Sequence, residues 1–345
     1  MDVFQLTRAL IDIPSVTLEE RAVAEYLAAH LRTMGAAVEL DEAEPNRPNV
    51  YAAWGAPDVV LSTHIDTVPP FFASREDEVN IYGRGACDAK GIVAAQVEAA
   101  RHLRNEGVGD FALLFLVGEE RNSAGAAHAN KRPRGSRYII NGEPTENRLA
   151  LGTKGVLRVE IEARGRMAHS AYPELGESAT EKLLDALERV RRLPLPTDPV
   201  LGATTVNIGL LSGGVAPNVI PGSARAELMY RIVAPGDALL AQVTEAVGTL
   251  AEVRRVLEIP PVKLGTIDGL ADGMSTSEAD SAPEGIIVKF STDIPCLTNW
   301  GQPFLLGPGS IHVAHTDNEH IPKAQLAEAV DIYMKMVKLL KSRKG

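Results

Sequence analysis

The fold is decided by residues 59–91, VVLSTHIDTVPPFFASREDEVNIYGRGACDAKG. Val59 to Leu61 is a short apolar run that passes into Ser62-Thr63-His64-Ile65-Asp66 and is stopped by Pro69-Pro70. Such a run, bounded by turn residues, reads as a buried strand. Side chains alternate along a strand, so His64 and Asp66 are expected on one face at its carboxyl end. In open α/β sheets that end is where ligands bind. A further carboxylate, Asp88, follows in the glycine-rich loop Gly83 to Gly91, just before a helical stretch from Ile92 to Arg104. An imidazole beside two carboxylates suggests a metal site.

Working outward, the N-terminal half alternates strands and helices. Phe4, Leu6, Leu10, Ile11 and Ile13 predict a short helix closed by Pro14, and Ala22 to Met34 a longer one ending at Gly35. Val38 to Leu40 and Asn49 to Trp54 read as strands. Phe111 to Val117, FALLFLV, is a nearly continuous apolar strand of the kind covered on both faces, and it ends in Gly118-Glu119-Glu120. Tyr138 to Ile140 is another, ending in Asn141-Gly142-Glu143-Pro144-Thr145. This half is therefore a doubly wound α/β sheet. Glu119 and Glu120, as neighbours in extended chain, are expected to point opposite ways.

From Gly155 the pattern changes to one-sided alternation. Strands Gly155 to Gly165, Thr204 to Leu211, Ala224 to Ile232 and Val253 to Ile259, with helices Ser178 to Arg192 and Ala238 to Ala251, give a β-α-β-β-α-β order. That is the split arrangement of a ferredoxin-like domain. Leu270 to Glu284 reads as a loop, Ile286 to Phe290 and Pro303 to Leu306 as apolar segments, and Lys323 to Leu340 as a closing helix. The expected organisation is a mixed-sheet domain, 1–153 and 261–345, interrupted by an inserted α+β domain, 154–260.

Composition narrows the function. The chain has 345 residues, a hydrophobic fraction of 45% and a net charge of −10, as expected of two globular domains. It lacks a basic stripe with interleaved aromatics, which argues against nucleic acid. No uncharged apolar stretch is long enough for a membrane span. Cys87 and Cys296 stand far apart, and the acidic N-terminus lacks the build of a signal peptide, so a cytoplasmic location is expected. His30, His102 and His128 have no evident partners, His320 reads as a surface residue, and Cys87 as a packing residue.

The strand ends together carry a specific pattern: His64-Ile65-Asp66-Thr67-Val68-Pro69, Gly83-Arg84-Gly85 through Asp88-Ala89-Lys90-Gly91, Glu119-Glu120, Gly142-Glu143-Pro144-Thr145 and His315. In these motifs the sequence resembles the di-zinc deacylases and exopeptidases that include acetylornithine deacetylase, succinyl-diaminopimelate desuccinylase, aminoacylase and carboxypeptidase G. The resemblance implies a zinc exopeptidase-like fold whose inserted domain dimerises. It implies two divalent metal ions, zinc first and cobalt or manganese as alternatives. His64 and Glu143 would hold one ion, Glu120 and His315 the other, and Asp88 would bridge them; His312 competes with His315 by spacing alone. Asp66 would hold the His64 ring, and Glu119 would act as general base and acid.

In the same resemblance Asn218, Arg231 and Gly309 contact substrate, and His169 reaches the site of a partner subunit to donate to the oxyanion. The bland reading of Arg231 is a strand-end salt bridge. The stretches Thr292-Asp293-Ile294-Pro295 and Gly307-Pro308-Gly309-Ser310-Ile311 look most like acetylornithine deacetylase. The expected function is thus hydrolysis of a small N-acyl-L-amino acid in arginine biosynthesis by a cytoplasmic homodimer. A desuccinylase, a carrier-linked lysine or ornithine hydrolase, and a dipeptidase or carboxypeptidase are the alternatives within the family. A metal-stabilised binding protein without catalysis would have no use for Glu119.

Overall fold

The computed structural model describes residues 1–267, 270 and 285–343. Of the expected loop Leu270 to Glu284, all but Leu270 lies outside the described residues. The chain divides into two compact units, one of Met1–Leu151, Leu264–Ile286 and Thr292–Gly345, the other of Gly152–Lys263 and Ile287–Ser291.

The first unit opens with helices α1 (Val3–Ile11) and α2 (Arg21–Thr33). α1 begins at a capping box, Asp2 accepting from the Gln5 amide at 2.8 Å. The hairpin β1 (Ala37–Glu44) and β2 (Arg47–Trp54) precedes β3 (Val59–His64). Helix α3 (Lys90–Asn105), strand β4 (Phe111–Leu116), the short helix α4 (Ala124–Ala129) and strand β5 (Tyr138–Asn141) complete this part.

The second unit runs β6 (Gly155–Arg164), β7 (Ala168–His169), α5 (Ala179–Arg191), β8 (Thr205–Gly213), β9 (Val219–Ile220), β10 (Ser223–Ile232), α6 (Asp237–Val247) and β11 (Glu252–Ile259). Its main sheet has the order β8-β10-β6-β11, antiparallel throughout. Leu157, Val159, Ile161, Leu228 and Tyr230 pack against Leu183, Leu187, Leu239 and Val243 of the two helices. The opposite face carries ion pairs such as Arg158 with Glu227 and Arg254 with Glu160.

The chain returns to the first unit with β12 (Gln302–Leu305) and the closing helix α7 (Lys323–Ser342). The six-stranded sheet has the order β1-β2-β4-β3-β5-β12; β3, β4, β5 and β12 run parallel, and β1 and β2 antiparallel to their neighbours. β4 shows why its run is unbroken. Phe111, Leu113 and Phe115 enter the core beneath α1, α2, α3 and α7, while Ala112, Leu114 and Leu116 pack with Ala126, Ala129 and Trp300 on the other face. Both faces are covered, so no position tolerates a charge until the strand has ended.

Candidate metal centre

β3 delivers His64 to the carboxyl edge of the sheet, fully buried. Its Nδ1 lies 3.0 Å from the backbone carbonyl of Asp66 and 3.4 Å from the Asp66 carboxylate. A carbonyl only accepts, so Nδ1 carries a proton and Nε2 is turned to Asp88, 2.9 Å from Oδ1. Burial works against the imidazolium, yet the contacts with Asp66 and Asp88 outweigh it and hold the ring well above its ordinary pKa.

Asp66 does more than face the ring. Its carboxylate accepts from Thr17 Oγ1 at 2.8 Å and from the backbone amides of Glu119 and Glu120 at 3.1 and 3.3 Å. Those two amides belong to a turn, which corrects the extended geometry expected from sequence. After β4 the chain reverses at Gly118, φ +80°, and the Asn122 amide returns to the Gly118 carbonyl at 3.0 Å. A Cβ at Gly118 would stand 2.8 Å from Arg47 Nη2. The turn therefore needs a glycine for both conformation and space.

Glu143 follows β5 in a loop stitched to residues 307–310: Thr145 donates to the Gly307 carbonyl at 3.1 Å and Glu146 to that of Gly309 at 2.8 Å. Gly309 adopts φ +88°, and a Cβ there would meet Cys87 at 2.6 Å. The structure thus seats Gly309 against the residue preceding Asp88. His315 sits in the left-handed region at φ +63°, with Nε2 3.0 Å from Glu120 Oε1 and 3.3 Å from Asp88 Oδ2.

These residues form two groups. His64, Asp88 and Glu143 bring ligand atoms within 4.8 Å of one another, and so do Asp88, Glu120 and His315. Asp88 belongs to both. His312 is exposed and, among the described residues, enters neither group. The donor set fits divalent cations. Glu143 Oε1 is buried without a hydrogen-bond partner, and an orphaned carboxylate oxygen deep in a protein calls for a cation. Burial, with Glu143 close by, raises Glu119 well above the ordinary carboxyl range, and burial also raises Glu120.

The second unit holds the remaining residues singled out by resemblance. β7 pairs with β9, placing His169 opposite Val219, and the Ser170 amide donates to the Asn218 carbonyl at 3.0 Å. His169 and Asn218 are therefore neighbours, both exposed. Arg231 lies on β10 between Thr205 and Val156, half-buried, and forms no ion pair among the described residues. The strand-end salt bridge of the bland reading is thus absent among them. Two histidines thought to lack partners have them: His102 lies 3.2 Å from Glu98 and His128 3.1 Å from Asp41.

Three charged residues escaped the motif reading. Asp293 is fully buried; burial, reinforced by Asp66, outweighs Ser123 and His64 and pushes its carboxyl up to about 6. Its Thr-Asp dipeptide was visible only as a family likeness. Arg84 stood inside a quoted motif without a role, and Glu319, its buried partner at 2.7 Å, is 235 residues away.

Residues 60–339 match the model of peptidase family M20/M25/M40. The chain belongs to this family. A peptidase M20 domain-containing protein of Schizosaccharomyces pombe is 36% identical over 97% of this chain and 84% of its own length. A probable carboxypeptidase of Aspergillus terreus is 39% identical over 96% of this chain and 84% of its own. Among solved structures, a tripeptidase from Staphylococcus aureus superposes with a TM-score of 0.85 at 21% identity, covering 99% of this chain and 98% of that one. An M20 family metallo-carboxypeptidase from Sulfolobus solfataricus gives 0.75 at 16%, covering 99% of each. The fold is that of the M20 peptidases, as the sequence led us to expect, and the chain is an enzyme, a metal-dependent hydrolase of the peptidase type. No helix among the described residues is long and apolar enough to cross a membrane.

Proposed function

We propose that this M20 enzyme is an exopeptidase that hydrolyses the amide bond next to a free terminal carboxylate in small peptides or N-acylated amino acids. The observation that carries this reading is the sharing of Asp88 between two three-residue ligand groups, with Glu119 beside them and belonging to neither. Zinc is the cation best matched to the mixed nitrogen and oxygen donors, with cobalt and manganese as substitutes. Two such ions, held by His64, Asp88 and Glu143 and by Asp88, Glu120 and His315, would polarise the scissile carbonyl and acidify a water.

The protein's own steps follow. Glu119, raised by burial, accepts a proton from the attacking water and returns it to the leaving amine. Asp66 keeps the His64 ring and the Glu119-Glu120 turn in register. Arg231 and Asn218 receive the substrate carboxylate, Asn218 coming from the same subunit as its neighbour His169. His169, from the second subunit of a homodimer, donates to the developing oxyanion. The dimer reading is supported by β8, an edge strand exposed along its whole length that presents Val206, Ile208, Leu210 and Leu211 to solvent. Such an edge pairs readily with a second copy across a two-fold axis.

Acetylornithine deacetylase, the finer expectation from sequence, ranks second because relatives at 36–39% identity are named carboxypeptidases. The test is a panel assay after EDTA treatment and restoration with zinc or cobalt. Hydrolysis of dipeptides blocked at the amino end, lost when the carboxylate is amidated, supports a carboxypeptidase. Faster turnover of acetylornithine than of any peptide restores the deacetylase. Activity that survives complete metal removal overturns the proposal.

A further inference from the structure

Glu319 and Arg84 form a buried ion pair beside the metal centre, with side chains 0% and 1% exposed. Arg84 Nη1 donates to Glu319 Oε2 at 2.7 Å, while Oε1 receives the backbone amides of Cys87 at 3.3 Å and Asp88 at 3.2 Å. Arg84 also donates through Nε to the Pro70 carbonyl at 3.2 Å and through Nη1 to the Thr316 carbonyl at 3.3 Å, and its guanidinium lies 4.9 Å from the Phe72 ring. The Gly83 amide closes the knot on the Glu319 carbonyl at 3.1 Å.

Three separate segments meet at this pair: the loop that follows His64, the Gly83–Asp88 loop, and the loop carrying His315. The contacts fall on the backbone of Asp88 itself and of the residue next to His315. Asp88 and, through its neighbour Thr316, His315 belong to the Asp88, Glu120 and His315 group, whereas the His64 group is touched only through the shared Asp88 and, six residues along from His64, Pro70. Stability alone is a poor reason for the pair. A buried ion pair rarely outperforms apolar residues of equal volume, and Arg84 Nη2 is buried with no hydrogen-bond partner. His315, held at φ +63°, also needs its loop fixed from outside.

We propose that Arg84 and Glu319 are positioning residues that set the separation of Asp88 from His315, and so the affinity of the cation position formed with Glu120. This rests on the two-cation reading above. In Glu319→Gln the amide nitrogen must face either Arg84 or the Cys87 and Asp88 amides, so one set of donors is opposed. In Arg84→Lys one donor centre replaces the fork, and the Pro70 and Thr316 carbonyls can no longer both be held.

The test is calorimetric titration of the metal-depleted full chain with zinc, and visible absorption during titration with cobalt, alongside thermal unfolding. Wild type is expected to bind two equivalents. Glu319→Gln should keep the first within a few-fold and weaken the second by ~10–100-fold, the range for groups that orient metal ligands. Arg84→Lys should weaken it less than Arg84→Met. The double variant Arg84→Met with Glu319→Leu, which replaces the pair by apolar volume, should unfold near the wild-type temperature yet show the same weak second equivalent and an altered cobalt spectrum. Variants that bind both equivalents like wild type, or that lose both in step with unfolding, overturn the inference alone. A wild-type chain that binds a single equivalent overturns the two-cation reading, and this inference with it.

Discussion

The two units solve opposite problems with the same materials. In the first, His64 ends a strand of a sheet covered on both faces, Glu120 and Glu143 follow two others, and Asp88 and His315 stand on loops, each approach being fixed by hydrogen bonds from other segments. Asp66 holds two amides, Glu319 holds two more, and residues 307–310 hold the Glu143 loop. In the second, an antiparallel sheet covers its helices with one face and leaves the other, and the edge β8, to solvent. His169 sits on a separate two-stranded ribbon of two residues each, and Asn218 just precedes its second strand, both exposed. The difference teaches where precision is needed. Cations and a proton shuttle tolerate little displacement, whereas groups that recognise a substrate can stand on exposed elements that adapt to it.

The sharpest way to break this division is Glu119→Gln. Glu119 lies among the ligands but in neither ligand group, so its loss should remove the proton shuttle and leave the metals. A fall in kcat of ~10²–10⁴ with metal content unchanged is expected, measured by elemental analysis and steady-state kinetics on one preparation. Near-normal turnover would move the general base elsewhere, with Asp293 the first candidate.

His169→Ala probes the other unit. Losing one oxyanion donor costs ~10²–10³ in kcat, and zinc affinity should be untouched. Because we assign His169 to the partner's site, mixing His169→Ala with Glu119→Gln subunits should restore activity, one of the two sites in each mixed dimer being complete. A mixture as inactive as its parents after verified subunit exchange refutes sharing between subunits.

Much of this was legible in the sequence because the signals were local. An apolar run such as Phe111–Leu116 announces a strand buried on both sides, and the alternation in Gly155–Arg164 announces one buried on a single side. The residues at the ends of these strands then follow. What was not legible depends on contacts far apart in the chain. The turn at Gly118 is set by Arg47 and by Asp66, not by its neighbours in sequence. Arg84 and Glu319 look like two surface charges until the fold buries them against each other. His128 gained its carboxylate partner in the same way, from Asp41, 87 residues away; the partner of His102, Glu98, is one helical turn back and was within reach of the sequence.

The smallest effect gives the cleanest comparison. Ile65 and Ile161 are both fully buried, each in the main core of its unit. Ile161 is at the centre of β6, opposite Ala226 on one side and Val253 on the other. Ile65 stands between His64 and Asp66, its amide on the Leu116 carbonyl at 2.9 Å and its carbonyl held by Ser15 Oγ at 2.7 Å. Removing one methyl group from either, as Ile161→Val or Ile65→Val, should cost about 0.5–1.5 kcal/mol of stability, read by denaturant unfolding. The chemistry removed is the same, so any difference in metal binding reports position. Ile65→Val lets the segment joining the His64 ring to the Asp66 carboxylate relax, and zinc affinity should fall a few-fold. Ile161→Val should leave it unchanged. Equal losses of affinity in the two variants would mean that metal binding senses the stability of the whole chain rather than the packing beside the ligands, and the division between the units would not hold.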